Sequence, residues 1–161
     1  MIPATPNGPG PRMRILAASV SCLLALGVPA AGQDAPAVEG AGPGEVFAAI
    51  ASAWSQEDQQ GLADRVHPDG LRVDLAGKRD RSTHYSPSQA FYFFKNLFQS
   101  QRTLSFRFQR TQDDARGERA HGLAAWRSRR PSSENVKETK LVFVLELYEG
   151  RWMLSEITTI K

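Results

Sequence analysis

From residue 45 onward the apolar positions follow two periods in turn. Val46, Phe47, Ile50 and Trp54 recur at helical spacing and predict an amphipathic helix over 45–56. Ser55, with Asp58 three residues later, reads as a capping box that starts a second, shorter helix over 57–66, with Leu62 and Val66 facing inward. Pro68-Asp69-Gly70 ends it. Leu71, Val73 and Leu75 then alternate with Arg72 and Asp74, the period of a half-buried strand, and 78–84 reads as a polar loop. Ser86-Pro87-Ser88-Gln89 sets serine at the N-cap, proline at the first helical position and glutamine at N3. A third helix therefore starts here and runs to about residue 101, with Ala90, Phe91, Phe94, Leu97 and Phe98 on one side.

The remainder alternates with the period of strands. Leu104, Phe106 and Phe108 mark the first, and runs over 120–127, 141–148 and 152–160 follow. Asp113-Asp114 with Gly117, the polar stretch 131–138, and Glu149-Gly150 supply the connections, the last short enough for a tight antiparallel turn. The order is α-α-β-α-β-β-β-β, an α+β fold with three N-terminal helices packed on a curved antiparallel sheet. The run 141–148 is apolar on both faces, Leu141, Phe143, Leu145 and Leu147 on one and Val142 and Val144 on the other. It needs cover on both sides. A central strand backed by the long hairpin provides that cover, and so does a homodimer packed sheet to sheet.

Upstream of this pattern lies an address. Arg12 and Arg14 precede an apolar run over 15–28, and Val28-Pro29-Ala30 or Ala30-Ala31-Gly32 offers the small residues a signal peptidase needs. At roughly 14 to 17 residues the run is short of the ~20 that span a bilayer, so no stable membrane anchor is expected after cleavage. The chain divides into a signal peptide over 1–32, with Met13 as an alternative start, a small-residue linker over 33–44 and a domain over 45–161. Cys22 lies inside the signal without the preceding Leu-like residue that lipidation requires, so the exported chain has no cysteine and no thiol chemistry.

Composition adds two limits. At 161 residues, 41% hydrophobic and 23% charged, the chain has room for one globular domain and not for a cofactor domain beside a substrate domain. Lys and Arg number 20 against 17 Asp and Glu, a net charge of +3, but Arg12 and Arg14 leave with the signal and every acidic residue lies downstream, so the exported chain carries +1. Arg107, Arg110, Arg127, Arg129 and Arg130 form the one basic concentration, flanked in sequence by Asp113, Asp114, Glu118 and Glu134. That mixture reads as a solvated hairpin end and not as a nucleic-acid surface.

Few residues suggest chemistry. His121 and Glu146 lie on neighbouring strands, where a His-carboxylate pair in an apolar pocket can act as a general base; a solvent-facing His beside a cross-strand pair of Glu146 with Arg127 or Lys140 fits the same spacing. Asp69 follows the second helix at a place suited to an acid, within a Pro-Asp-Gly run that is also an ordinary turn. Trp54, Tyr92, Phe94 and Phe98 are candidates to line a pocket for an apolar ligand, or to be core. His67, His84 and His121 lack metal-ligand spacing and no glycine-rich phosphate loop is present, so neither a metal nor a cofactor is expected.

The helix VFAAIASAWSQED, the short helix ending in Val66-His67-Pro68-Asp69-Gly70, the YSPSQAFYFFKNLF helix and the closing EGRWMLSEITTI together resemble the nuclear transport factor 2-like superfamily, which includes ketosteroid isomerase and scytalone dehydratase. The likeness covers 45–161 and is similar to small exported bacterial members of unknown function. It implies a cone whose concave sheet face and helices enclose a pocket, where enzymatic members place an acid or base. The aspartate base with tyrosine and protonated aspartate of ketosteroid isomerase-like sites finds no residue-by-residue match here, nor do the histidines and aspartate of dehydratase-like members. The expectation is a binding domain for a small apolar or amphipathic ligand or a protein partner. A lyase, isomerase or hydrolase using Asp69 or His121, and a structural homodimer with a filled core, are the alternatives.

Overall fold

In the computed structural model the described residues are 40–76, 82–114 and 116–160. The candidate signal and most of the linker lie outside them. The elements are α1 (Pro43–Ser55), α2 (Gln59–Ala63), β1 (Leu71–Asp74), β2 (Thr83–Tyr85), α3 (Pro87–Ser100), β3 (Arg102–Asp113), β4 (Arg119–Arg129), β5 (Val136–Tyr148) and β6 (Arg151–Ile160). The fold is the expected α+β arrangement of helices on a curved sheet, extended by one strand.

That strand, β2, is three residues long and pairs antiparallel with β1, Leu71 opposite Tyr85 and Val73 opposite Thr83. Thr83 and His84 are exposed, so the segment carries no apolar alternation by which the sequence could reveal it. The six strands run in the order β2-β1-β6-β5-β4-β3. The sheet is antiparallel except between β1 and β6, which pair in parallel, Val73 opposite Ile157. Residues just before β1 extend this contact: the Leu154 N–H donates to the Arg65 carbonyl at 2.7 Å, and the His67 N–H donates to the Leu154 carbonyl at 2.9 Å.

Those bonds explain why α2 is shorter than its sequence pattern suggests. Val66 leaves the helix to bridge with Leu154. At the other end Asp58 is the N-cap, its carboxylate accepting from the Gly61 N–H at 2.9 Å, while Glu57 turns to φ 56°. The Glu57 carboxylate accepts the Thr103 N–H at 2.7 Å and an Arg102 N–H at 3.0 Å, which ties the α1–α2 turn to the start of β3 and offsets the left-handed backbone. α1 begins inside the predicted linker, at Pro43, because proline's missing N–H costs nothing in a first helical turn. α3 starts where expected, with the reciprocal Ser86 and Gln89 bonds of a capping box.

The register assigns the faces of the sheet. Ala120, Gly122, Ala124 and Trp126 of β4 stand opposite Leu145, Phe143, Leu141 and Thr139 of β5. This is the helix side, since a Cβ on Gly122 would lie 2.7 Å from the Phe47 ring of α1 and 2.6 Å from Phe108. The small β4 residues make room for rings. Trp54 fills the centre, stacked on Phe106 at 5.0 Å and edge-on to Phe98, Phe143 and Trp126 at 5.5, 5.3 and 5.4 Å. The opposite face of β4 carries Arg119, His121, Leu123, Ala125 and Arg127.

Candidate functional site

The cone interior is the first place to look for a site, and it is occupied. Trp54, Phe94 and Phe98 are buried there, Phe94 lying 6.1 Å from Trp54 and 6.4 Å from Phe98, in one cluster with Phe47, Phe106 and Phe143. Tyr92 is not with them. It is 63% exposed. The reason is helical geometry: two residues span about 200° of an α-helix, so Tyr92 and Phe94 point to opposite sides.

The candidate acid and base residues do not enter the interior either. His121 and Glu146 share the outer face of the sheet as diagonal neighbours, with His121 opposite Val144 and Arg119 opposite Glu146. Glu146 is engaged by Arg119, not by Arg127 or Lys140, through a guanidinium bond at 3.0 Å and a second, shorter one. That hydrogen bond holds the Arg119 guanidinium further above its ordinary range. Asp69 points to solvent from the turn before β1, its side chain 91% exposed. Its backbone does the local work: the Asp69 N–H donates to His67 Nδ1 at 3.1 Å, and the Asp69 carbonyl lies 2.8 Å from His84 Nε2. Gly70 completes the turn at φ 109°, where a Cβ would meet the His84 ring and the Tyr85 carbonyl at 2.5 Å. His67 is buried, with its ring edge-on to Tyr148 at 5.1 Å. Among the described residues no group of three or more His, Cys, Asp or Glu is placed to hold a metal ion.

Tyr92 belongs to a different feature, an open groove of about 510 Å³ between β2 and the outward side of α3. Gln89, Tyr92, Asn96 and Ser100 fall on this side of the helix because they are spaced by three and four residues. Thr83, His84 and Tyr85 of β2 form the facing wall, and the half-buried Phe93 and Leu97 complete the lining. Two details order the lining. Tyr85 and Phe93 pack ring to ring at 4.9 Å with 32° between their planes, and His84 is fixed by its bond to the Asp69 carbonyl. Asn96 makes no side-chain bond among the described residues, so its amide can both donate and accept toward the groove. The lining holds no carboxylate, ammonium or guanidinium group.

Of the groove residues the sequence marks Tyr92 alone as a ligand candidate; Gln89 and Leu97 read there as a helix cap and a core-facing position. One signal was available: Phe91, Tyr92, Phe93 and Phe94 are consecutive, and at 100° per residue four adjacent aromatics cannot all face one core. Phe94 is buried, Phe91 and Phe93 are half-buried on the flanks and Tyr92 stands outward.

No protein-family model matches the chain, and no curated protein matches it in sequence. Solved structures do match in shape. A DUF4783 family protein from Bacteroides uniformis superposes with a TM-score of 0.59 at 13% identity, over 72% of this chain and 96% of that one. A protein of ketosteroid isomerase-like fold from Catenulispora acidiphila, solved in complex with trimethylamine, gives 0.59 at 11% identity over 75% and 87%. A ketosteroid isomerase-like protein from Erwinia carotovora atroseptica gives 0.55 at 12% identity over 73% and 93%. The fold is therefore the nuclear transport factor 2-like, ketosteroid isomerase-like cone. At these identities the likeness carries shape and not activity.

Proposed function

We propose that this nuclear transport factor 2-like domain is a non-catalytic binding module, exported after removal of residues 1–32, and that its ligand site is the outer groove between β2 and α3. One observation carries the reading: the interior is filled by Trp54 and its neighbouring rings, while Asp69, His121 and Glu146 all lie outside it. An acid or base without an enclosed cavity lacks the dry, preorganised surroundings that make proton transfer fast. The groove offers ring surface from Tyr92 and Phe93 beside the amides of Gln89 and Asn96, which suits a neutral amphipathic molecule. Its volume of about 510 Å³ is within the range of roughly 300 to 1,000 Å³ typical of small-molecule sites. A protein of the same fold holds trimethylamine, so small-molecule binding is within the fold's repertoire.

Native mass spectrometry of the full chain recovered from the envelope fraction of its producing cells tests this. Wild type is expected to carry a small-molecule adduct that Tyr92→Ala and Asn96→Ala lose while keeping the wild-type circular dichroism spectrum. A bare mass for wild type, or an adduct retained by both variants, removes the groove as the site. N-terminal sequencing of the same sample is expected to begin near residue 31 to 33, and an intact start at Met1 or Met13 removes the export part of the reading.

A further inference from the structure

The outer face of the sheet carries a second feature, independent of the groove. Ala125 of β4 stands between Arg107 of β3 and Lys140 of β5, directly opposite each of them in register. In the next row Arg127 stands between Ser105 and Glu138. Residues directly opposite in a ladder point to the same side, so these two rows share the outer face. Ala125 is the small member of the set, and above it the longer neighbours leave a depression of about 170 Å³ bordered by Ser105, Phe106, Arg107, Arg127 and Glu138.

What distinguishes this spot on the face is a depression with unpaired guanidinium groups on its border. Arg119, Arg72 and Arg129 are paired with Glu146, Glu156 and Glu134, while Arg110, opposite Leu123, is unpaired among the described residues but does not border the depression. Arg107, Arg127 and Lys140 have no ion-pair partner among the described residues. Glu138 borders the same depression, so two arginines meet one carboxylate there, with Lys140 opposite Ala125 in the adjoining row but outside the lining.

We infer that this depression is a binding site for a single oxyanion group, a phosphate, sulfate or carboxylate. Two arginines supply the forked N–H pairs that match oxyanion geometry, and the Ser105 hydroxyl adds a donor. The volume sets the size of the guest. About 170 Å³ is below the roughly 300 Å³ at which drug-sized sites begin, so the depression takes a head group and not a ring system. Glu138 sets the affinity, because a carboxylate beside the site opposes the guest's charge and its removal strengthens binding. The same chemistry comes from a free anion or from the head group of an anionic lipid. A twofold sheet-to-sheet pairing centred on this row would instead set the unpaired cations of two copies face to face, which is electrostatically unfavourable.

The test is a titration of the full chain with inorganic phosphate at low ionic strength, followed by the amide shifts of Ser105, Ala125 and Arg127. A saturable, localised response is expected, with affinity falling about ten-fold in Arg107→Gln and in Arg127→Gln, as loss of one charged hydrogen-bonding partner predicts. Glu138→Gln is expected to raise affinity several-fold, a result that damage to the fold would not produce. Co-sedimentation with vesicles of phosphatidylglycerol and phosphatidylcholine distinguishes the source. Wild-type pelleting that Arg127→Gln abolishes assigns a lipid head group, and phosphate binding without pelleting assigns a free anion. Linear, unsaturable shifts in wild type, or affinity unchanged in both arginine variants, overturn the inference.

Discussion

The two faces of β4 use small residues for opposite ends. On the helix side Ala120, Gly122 and Ala124 recede so that rings can advance: Phe47 and Phe108 sit where a Gly122 side chain would be, and Trp54 takes the centre of the cone. On the other side Ala125 recedes and is buried by its longer neighbours, so that Arg107 and Arg127 border a small depression above it. A small residue under a helix layer is a packing requirement, while the same residue under long polar side chains leaves a concavity with polar walls. The chemistry of the neighbours, not the size of the residue, decides which of these results.

Substitutions on the two faces should separate the roles sharply. Trp54→Ala is expected to cost about 3–5 kcal/mol in urea denaturation, the range for deleting a buried aromatic. An effect under 1 kcal/mol would mean that the interior collapses easily around the missing ring. Gly122→Ala comes next, at about 1–3 kcal/mol, because its methyl meets the Phe47 and Phe108 rings without room to shift. Trp54→Phe is expected to cost less than about 1.5 kcal/mol, since it keeps a ring in place and the buried Trp54 Nε1–H has no hydrogen-bond partner among the described residues to lose. On the outer face Ala125 is buried but stands outside the central cluster of rings, and Ala125→Val is expected to cost about 1 kcal/mol while removing phosphate binding. A large loss of stability there would show that the depression is part of the core.

The smallest expected effect is on pH dependence and belongs to the turn joining β3 to β4. Burial acts to raise the Asp114 pKa, but hydrogen bonds from the backbone at Arg119, Glu118, Gly117 and Arg116 outweigh it and hold the carboxyl below its ordinary 3.8. A carboxyl depressed in the folded state contributes stability that is present above 3.8 and lost as pH falls through the lower folded value. Thermal melts of wild type and Asp114→Asn between pH 5 and pH 2 should converge toward the acid end. Parallel curves over that interval would show that the turn does not sense the proton.

Much of the fold was legible along the chain. Ser86 and Gln89 declared the start of α3 because capping is a local hydrogen-bond requirement. Glu149 and Gly150 declared the β5–β6 turn, and both take positive φ, 47° and 78°, as a tight hairpin of this kind requires. The site was much less legible. Tyr92 was visible as an aromatic but was grouped with Phe94, although helical geometry separates them. Asn96 and Ser100 are ordinary polar helix residues until β2 is placed opposite them, and β2 has no apolar alternation of its own.

The sequence by itself determined the helices, the hairpins and the rule that strand neighbours face opposite ways, because each follows from interactions within a few residues. It could not determine that β1 runs parallel to β6, that His121 and Glu146 lie outside with Arg119 between them and any shared chemistry, or that Arg107, Ala125 and Lys140 form one row. Those facts depend on register. A slip of one residue leaves the alternation intact and exchanges inside for outside. Only the packing of Trp54 and the helices against one side of the sheet fixes which alternate set is buried and which is left to meet a partner.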